Sequence, residues 1–142
     1  MVDDVLNKID LNGYKYFCVI YPTSPLLKKK DLIKAINRLK LDKTAKGIFS
    51  IGKFQSNPLR SLKFEKKFMK FENKKYQKKN SNNLPEFFFD AGNFYFFKIK
   101  DYLRSKIFIN SKMLGFILPQ ERAIDINNKE DLILAKKLFK FL

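Results

Sequence analysis

The sequence contains no histidine and no tryptophan, and its 142 residues include a single cysteine. The absence of histidine excludes Ser-His and Cys-His nucleophilic catalysis and zinc sites built on imidazole. The cysteine lies in the apolar run Phe17-Cys18-Val19-Ile20, which indicates a buried structural thiol. Neither a Gly-Lys-Ser/Thr loop nor a G-x-G-x-x-G fingerprint occurs, so the chain has no recognisable phosphate cradle of its own.

Long apolar runs are also missing. No stretch of about 18 uncharged apolar residues is present, so no membrane span is predicted. The N-terminus carries Asp3 and Asp4 and lacks the basic-then-apolar order of a secretory signal. Because the chain cannot form an internal disulfide, these features together favour a cytoplasmic protein. The length and a hydrophobic content of 45% predict one globular domain or a piece of a larger one.

Acidic residues are few: the sequence has 14 of them and 30 basic residues, which gives a net charge of +16. Most of the basic residues are lysines spread through every segment, which is typical of a solvated surface rather than a binding face. A positive field would still attract phosphate polymers, or small anions such as a nucleotide and a sugar acid. A basic nucleic-acid-binding domain therefore stays open as an alternative that is not favoured.

Segments with the apolar pattern of strands alternate along the chain with segments that have the apolar pattern of helices, which predicts an α/β layered fold. Strands are expected at residues 16–21, 47–53, 87–98 (around an Asp90-Ala91-Gly92 turn) and 113–118. Helices are expected at residues 2–9, after an N-cap at Asp31, at 100–104 and after an N-cap at Asn128. The residues expected on the inner helix faces are Val5, Leu6 and Ile9, then Leu32, Ala35, Ile36 and Leu39, then Leu132, Ala135, Leu138, Phe139 and Leu142.

Residues 54–86 depart from this alternation because their aromatic side chains are interleaved with lysines. Aromatic residues among lysines can bind single-stranded nucleic acid by stacking and charge. The interpretation that we favour is a β-arm whose apolar face packs on the body of the protein or on a second subunit.

The segment before the last helix carries the clearest chemical signal. A short apolar strand just before this helix would place Asp125 and Asn127 on one face, because residues two apart on a strand point the same way. Two oxygen-bearing side chains placed together can share a hard cation such as Mg²⁺. An ordinary turn and helix cap would show the same residues, so both interpretations remain open at this point.

A family resemblance connects this segment with two others, residues 21–25 (Tyr-Pro-Thr-Ser-Pro) and 90–96 (Asp-Ala-Gly-Asn-Phe-Tyr-Phe). With residues 80–86 (Asn-Ser-Asn-Asn-Leu-Pro-Glu), they resemble the C-terminal part of the nonulosonic-acid cytidylyltransferases, which activate sialic or pseudaminic acid with CTP. The resemblance runs from about Tyr14 to the end. It implies a three-layer α/β/α fold of the nucleotide-diphospho-sugar transferase type (Rossmann-like), with residues 54–86 as a dimerisation arm.

The same resemblance implies roles for individual residues. Asp125 would be the catalytic residue that holds the Mg²⁺ cofactor, and Asn127 would be a second metal ligand in place of the family's second aspartate. Asn80 stands where the family usually has an arginine that clamps an anionic substrate. The tyrosine at position 21 and the Asp-Ala-Gly motif favour pseudaminic over sialic acid. The residues expected to bind the substrate are Tyr21, Thr23, Ser24, Asp90, Gly92, Asn93 and Tyr95.

The resemblance also implies a missing part. The family begins with a strand and a triphosphate-binding loop, and nothing before Tyr14 matches them. With βαβ units of roughly 30 residues, on the order of 80 residues would be absent. Residues 1–142 would then be a partial catalytic domain with an exposed sheet edge, which a separately encoded N-terminal half could complete. The expected reaction is transfer of CMP from CTP to a nine-carbon sugar acid, with release of pyrophosphate. The alternative is an inactive remnant or an oligomerisation module.

Overall fold

The computed structural model describes residues 2–141, and this range contains four α-helices and six β-strands. The helices are α1 (Val2–Leu6), α2 (Lys29–Leu41), α3 (Ile99–Ser105) and α4 (Lys129–Phe139). The strands are β1 (Tyr16–Ile20), β2 (Gly47–Lys53), β3 (Leu62–Glu65), β4 (Phe68–Phe71), β5 (Phe88–Lys98) and β6 (Met113–Ile117). The predicted α/β class is confirmed. None of the helices in this range is long and apolar enough to cross a membrane.

Four of the strands form a mixed sheet in the order β1-β5-β2-β6. Strand β5 runs antiparallel to both of its neighbours, whereas β2 and β6 are parallel. Helices cover both faces of this sheet. Successive residues of β5 point to opposite faces, so they contribute to different cores. Phe94 belongs to the core beneath α2, and Tyr95 belongs to the core that includes Leu6 of α1 and Tyr102 of α3.

Helix α2 packs as its apolar spacing predicts, with Ala35 and Leu39 fully buried against Ile48 and Phe94. The predicted N-cap is wrong, however. The helix begins at Lys29, so Asp31 lies inside its first turn. The side chain of Asp31 is buried and paired with Arg122. A capping pattern is a local signal, and here a tertiary partner 91 positions away determines the role of the carboxylate.

Helix α4 begins with the predicted capping box. Asn128 Oδ1 accepts a hydrogen bond from the Asp131 backbone N–H at 2.8 Å, and Asp131 Oδ2 accepts one from the Asn128 N–H at 3.1 Å. The predicted inner face is only partly correct: Ala135 is buried and Leu138 is half-buried, whereas Leu132 and Phe139 are exposed. Leu142 lies outside the described residues. A similar correction applies to α1, which ends at Leu6 and leaves Val5 and Ile9 exposed.

Strand β1 lies at the edge of the sheet and is half-buried, not fully buried as its apolar sequence suggests. Its one cysteine, Cys18, packs against the core beneath α2. Burial raises the pKa of the Cys18 thiol to about 12, so the thiol stays protonated and unreactive at neutral pH. The predicted structural role of Cys18 therefore agrees with its environment.

Strands β3 and β4 form a separate antiparallel hairpin within residues 54–86, as the β-arm interpretation predicts. Cross-strand partners share a face of a hairpin. One face therefore carries two apolar pairs, Leu62 with Phe71 and Phe64 with Met69. Phe64 is 76% exposed, so this apolar face does not pack on the body of the described chain.

Candidate functional site

The candidate site is built around an irregularity in β5. The pairing of β2 with β5 passes from Phe49–Tyr95 to Ile51–Asp90, so β5 carries extra residues that bulge out of the ladder. Gly92 lies in this bulge with a φ of +64°, a backbone conformation that favours glycine. The predicted Asp90-Ala91-Gly92 turn is therefore a bulge inside one continuous strand, and Asp90 is the ladder residue at which regular pairing with β2 resumes.

The Asp90 carboxylate is held by two donors on its own strand. The Gly92 backbone N–H donates to Asp90 Oδ1 at 3.0 Å, and the Tyr95 hydroxyl lies 2.8 Å from both carboxylate oxygens. Burial, followed by the hydrogen bond to Asp90, raises the pKa of Tyr95. Tyr95 therefore keeps its proton and acts as a donor. The ring of Tyr21 lies 5.5 Å from the Tyr95 ring, which brings the loop after β1 to the same place.

Asn93 connects β5 to the loop that follows β1. Its backbone carbonyl accepts hydrogen bonds from the Tyr21 N–H at 3.3 Å and from the Ser24 hydroxyl at 3.2 Å. Thr23 lies half-buried in the same loop. The Asn93 side chain is 1% exposed and donates weakly to the Ile124 carbonyl at 3.5 Å. Within residues 2–141, Asn93 Oδ1 is a buried oxygen without a hydrogen-bond partner, and such an atom is costly unless something else satisfies it.

Asp125 reaches the site from the loop between β6 and α4. The strand predicted to carry Asp125 and Asn127 does not form, because this segment has no partner strand and follows a 3₁₀ turn at Gln120–Arg122. The predicted juxtaposition still holds: Asn127 Nδ2 donates to Asp125 Oδ2 at 3.2 Å. A Cβ on Gly92 would stand 3.4 Å from the Asp125 carboxyl carbon, an ordinary van der Waals contact, so the Asp125 side chain lies directly beside the bulge. The side chains of Asp125 and Asn127 are exposed.

Three buried polar residues that support the site were not anticipated from the sequence. Ser50 Oγ accepts hydrogen bonds from the Asn93 and Phe94 N–H groups, both at 3.1 Å, and so holds the bulge. Arg122 and Asp31 form an ion pair beneath the Asp125 loop. The available signals were a serine inside the apolar strand β2 and an arginine in a chain dominated by lysine. Neither signal identifies a partner.

Asn80 is not part of this cluster. Its side chain accepts a hydrogen bond from the Asn82 N–H at 3.0 Å and caps the 3₁₀ turn Ser81–Asn83, whose residues are exposed. This contact is a local structural role, typical of asparagine at the start of a turn. The arm therefore presents a neutral cap where the resemblance implies an arginine.

The donor set of the cluster suits magnesium better than a transition metal. Within residues 2–141 no group of three or more His, Cys, Asp or Glu side chains could enclose an ion. Mg²⁺ is commonly bound by one or two carboxylates, with water and substrate phosphates completing its shell. The exposed carboxylate of Asp125 beside the Asn127 amide fits that open arrangement. In the structure the amide nitrogen faces Asp125, so the Asn127 oxygen could join a shared ion after a rotation of the amide.

Comparison with known proteins gives one consistent result. No protein-family model matches the chain. Two curated proteins do, the pseudaminic acid cytidylyltransferases of Campylobacter jejuni subsp. jejuni serotypes O:2 and O:23/36. Each is 31% identical over 129 residues, which cover 89% of this chain and 55% of the relative. The chain thus spans about half the length of the curated relatives it matches.

These matches place the chain among the relatives of the nucleotidyltransferases. More narrowly, it is a relative of the nonulosonic-acid cytidylyltransferases, in agreement with the resemblance of its motifs. The comparison does not favour a nucleic-acid-binding domain or an oligomerisation module.

Proposed function

We propose that this chain is the sugar- and metal-binding part of an enzyme that transfers CMP from CTP to a nine-carbon sugar acid and releases pyrophosphate. The observation that carries the proposal is the convergence of Asp90, Tyr95 and Asp125 around Gly92. The name of the two relatives supports pseudaminic acid as the sugar. A net charge of +16 would favour both anionic substrates.

The metal side of the proposed site is the exposed pair Asp125 and Asn127. Mg²⁺ bound there would neutralise charge that develops on the phosphate oxygens of the nucleotide. Asp125 supplies the one full negative charge, and Asn127 adds a neutral oxygen. The Asp125 carboxylate lies beside Gly92 of β5, where the sugar is expected.

The sugar side is formed by β5 and the loop after β1. Sugar hydroxyls require acceptors and donors at fixed positions, which Asp90 and the hydroxyls of Thr23 and Ser24 can supply. Tyr95 keeps its proton and therefore holds Asp90 as an acceptor for the substrate. The ring of Tyr21 lies beside Tyr95 in the proposed pocket wall, and the backbone carbonyl of Asn93 holds the loop after β1 against β5.

The rest of the proposal concerns what completes this part. We assign the sheet to the three-layer, Rossmann-like transferase fold, in which further strands and a triphosphate loop would continue beyond β1. A separately encoded N-terminal half is one source of that loop. The DNA upstream of the Met1 codon, read in every frame, tests this directly: a phosphate-loop sequence there supports completion, and unrelated sequence contradicts it.

The decisive test is release of pyrophosphate from CTP, Mg²⁺ and pseudaminic acid. The assay contains this chain together with the N-terminal part of a Campylobacter jejuni relative supplied as a second polypeptide. We expect release that Asp125→Asn abolishes, while Asp10→Asn, which removes the same charge from a remote exposed loop, leaves it unchanged. If a second polypeptide that binds CTP yields no release with pseudaminic or sialic acid, this chain is an inactive remnant.

A further inference from the structure

Two oppositely charged side chains are buried together beneath the Asp125 loop. Asp31 is 4% exposed and Arg122 is 6% exposed. The guanidinium meets the carboxylate with two nitrogens: Nη1 bonds Oδ2, and Nη2 lies 3.3 Å from Oδ1. This is the two-pronged arrangement that fixes the relative orientation of an arginine and a carboxylate, not merely their distance.

The pair joins helix α2 to the segment that leads into the candidate site. Asp31 lies in the first turn of α2, a helix anchored in the core by Ala35 and Leu39. Arg122 ends the 3₁₀ turn that follows β6 and stands three positions before Asp125. The pair therefore ties the loop that carries Asp125 to a rigid helix.

The contacts of this loop with β5 are weaker in direction. Leu118 and Ala123 are buried against Ala91, which is apolar packing without orientation. The Ile124 carbonyl accepts from Asn93 Nδ2 at the long distance of 3.5 Å. Of the contacts that the loop makes with α2 and β5, the two-pronged ion pair is thus the one best suited to set the angle at which the chain leaves the 3₁₀ turn.

Stability alone does not account for such a pair. Removing two charges from water costs about as much as their attraction returns, and apolar pairs of similar volume often replace buried ion pairs without loss of stability. Breaking the pair from one side is costly, because a buried charge is left uncompensated. What an apolar pair cannot supply is direction.

We propose that Asp31 and Arg122 are positioning residues that hold Asp125 in the place where it meets Gly92 and Asn127. The inference rests on the proposed function insofar as Asp125 is taken as the metal ligand. Partners that orient ligands in this way typically change metal affinity by roughly tenfold or more when they are removed.

The test compares two double variants of the chain. Asp31→Leu with Arg122→Met replaces the buried pair by apolar side chains, and Asp3→Leu with Lys106→Met does the same to an exposed ion pair at 2.9 Å between α1 and the end of α3. Amide hydrogen exchange is measured at Arg122, Ala123 and Asn127, whose N–H groups are hydrogen-bonded. The affinity for Mn²⁺, a spectroscopic substitute for Mg²⁺, is measured in parallel.

For the buried-pair variant we expect a melting temperature within about 5 °C of the parent. Exchange at the three amides should rise about tenfold, and Mn²⁺ affinity should fall roughly tenfold. The exposed-pair variant should match the parent in amide exchange and in Mn²⁺ affinity. Exchange equal in the two variants would overturn the inference. If the buried-pair variant does not fold, Arg122→Lys decides in its place, since it keeps the charge and loses the two-pronged contact.

The two proposals fail separately. A parent chain that binds no Mn²⁺ contradicts the metal role of Asp125, while exchange at the loop amides still decides whether the ion pair positions the loop. In the converse case, the parent chain binds Mn²⁺ and the buried-pair variant binds it with the same affinity. That result supports the metal site and contradicts the positioning role of the ion pair.

Discussion

At the scale of single residues, Asn127 separates this chain from the expected metal site. Its amide donates to Asp125 at 3.2 Å, so the pair is satisfied without a cation. Asn127→Asp replaces that hydrogen bond by two adjacent carboxylates, which repel each other until a cation is shared between them. We expect the variant to bind Mg²⁺ about tenfold more tightly, equivalent to about 1.4 kcal/mol. Isothermal titration of the chain with Mg²⁺ measures this.

The matched control for that experiment is Asn12→Asp. Asn12 is exposed in the turn before β1, at the other end of the strand from the candidate site, and the substitution changes the net charge equally. The Asn127→Asp chain without metal should also melt at a lower temperature than the parent and regain stability when Mg²⁺ is added. Equal gains in affinity for the two variants would mean that general charge, and not the Asp125 pair, governs binding.

The residues of the site differ in how far the sequence could predict them. The contact between Asp125 and Asn127 was predicted from their two-residue spacing, although the strand on which that argument relied does not form. Asp31 resembled a helix cap, because capping patterns are local, and its partner Arg122 could not be found from spacing 91 positions apart. Ser50 is a similar case, since its acceptor role depends on the bulge in the neighbouring strand β5.

At the scale of elements, the hairpin of β3 and β4 has an uneven distribution of apolar side chains. Its apolar face consists of Leu62, Phe64, Met69 and Phe71, and its other face carries ion pairs such as Lys70 with Glu65. Exposed apolar faces of this kind mark contacts with other proteins. We therefore expect the chain to form a homodimer through the apolar face, and Phe64→Asp to shift it to the monomer in analytical ultracentrifugation.

The hairpin offers its own matched control. Phe68 is 63% exposed and Phe64 is 76% exposed, but Phe68 pairs with Glu65 on the charged face. Phe68→Asp should leave the dimer intact. A loss of the dimer with both substitutions, or with neither, would contradict a contact confined to the apolar face.

Elements defined by local signals were predicted better than those defined by partners. The capping box of α4 was correct because Asn128 and Asp131 lie within one turn. The strand expected just before α4 does not form, because a strand requires a neighbour and β6 pairs with β2 instead. The wrong prediction for the inner face of α4 has the same cause. Helical spacing shows on which side of a helix the apolar residues lie, but not how much of that side packs against other elements.

At the scale of the whole molecule, the most important feature for assembly is the outer side of β1 at the edge of the sheet. β5 pairs with one side of this strand, and no other strand in residues 2–141 pairs with its second side. Ile20 at the end of β1 is 49% exposed. A free edge with apolar residues is a template for association with another chain. This geometry is what the proposed completion by further N-terminal strands would use.

We accordingly expect the N-terminal part of a Campylobacter jejuni relative to slow amide exchange in β1 by about tenfold when it is added to the chain. Strand β6 provides the internal comparison, because it lies at the opposite edge of the sheet and should exchange at an unchanged rate. Protection of both edges would indicate nonspecific association. Protection of neither would leave β1 as a free edge and would remove the structural basis for completing this chain with a second polypeptide.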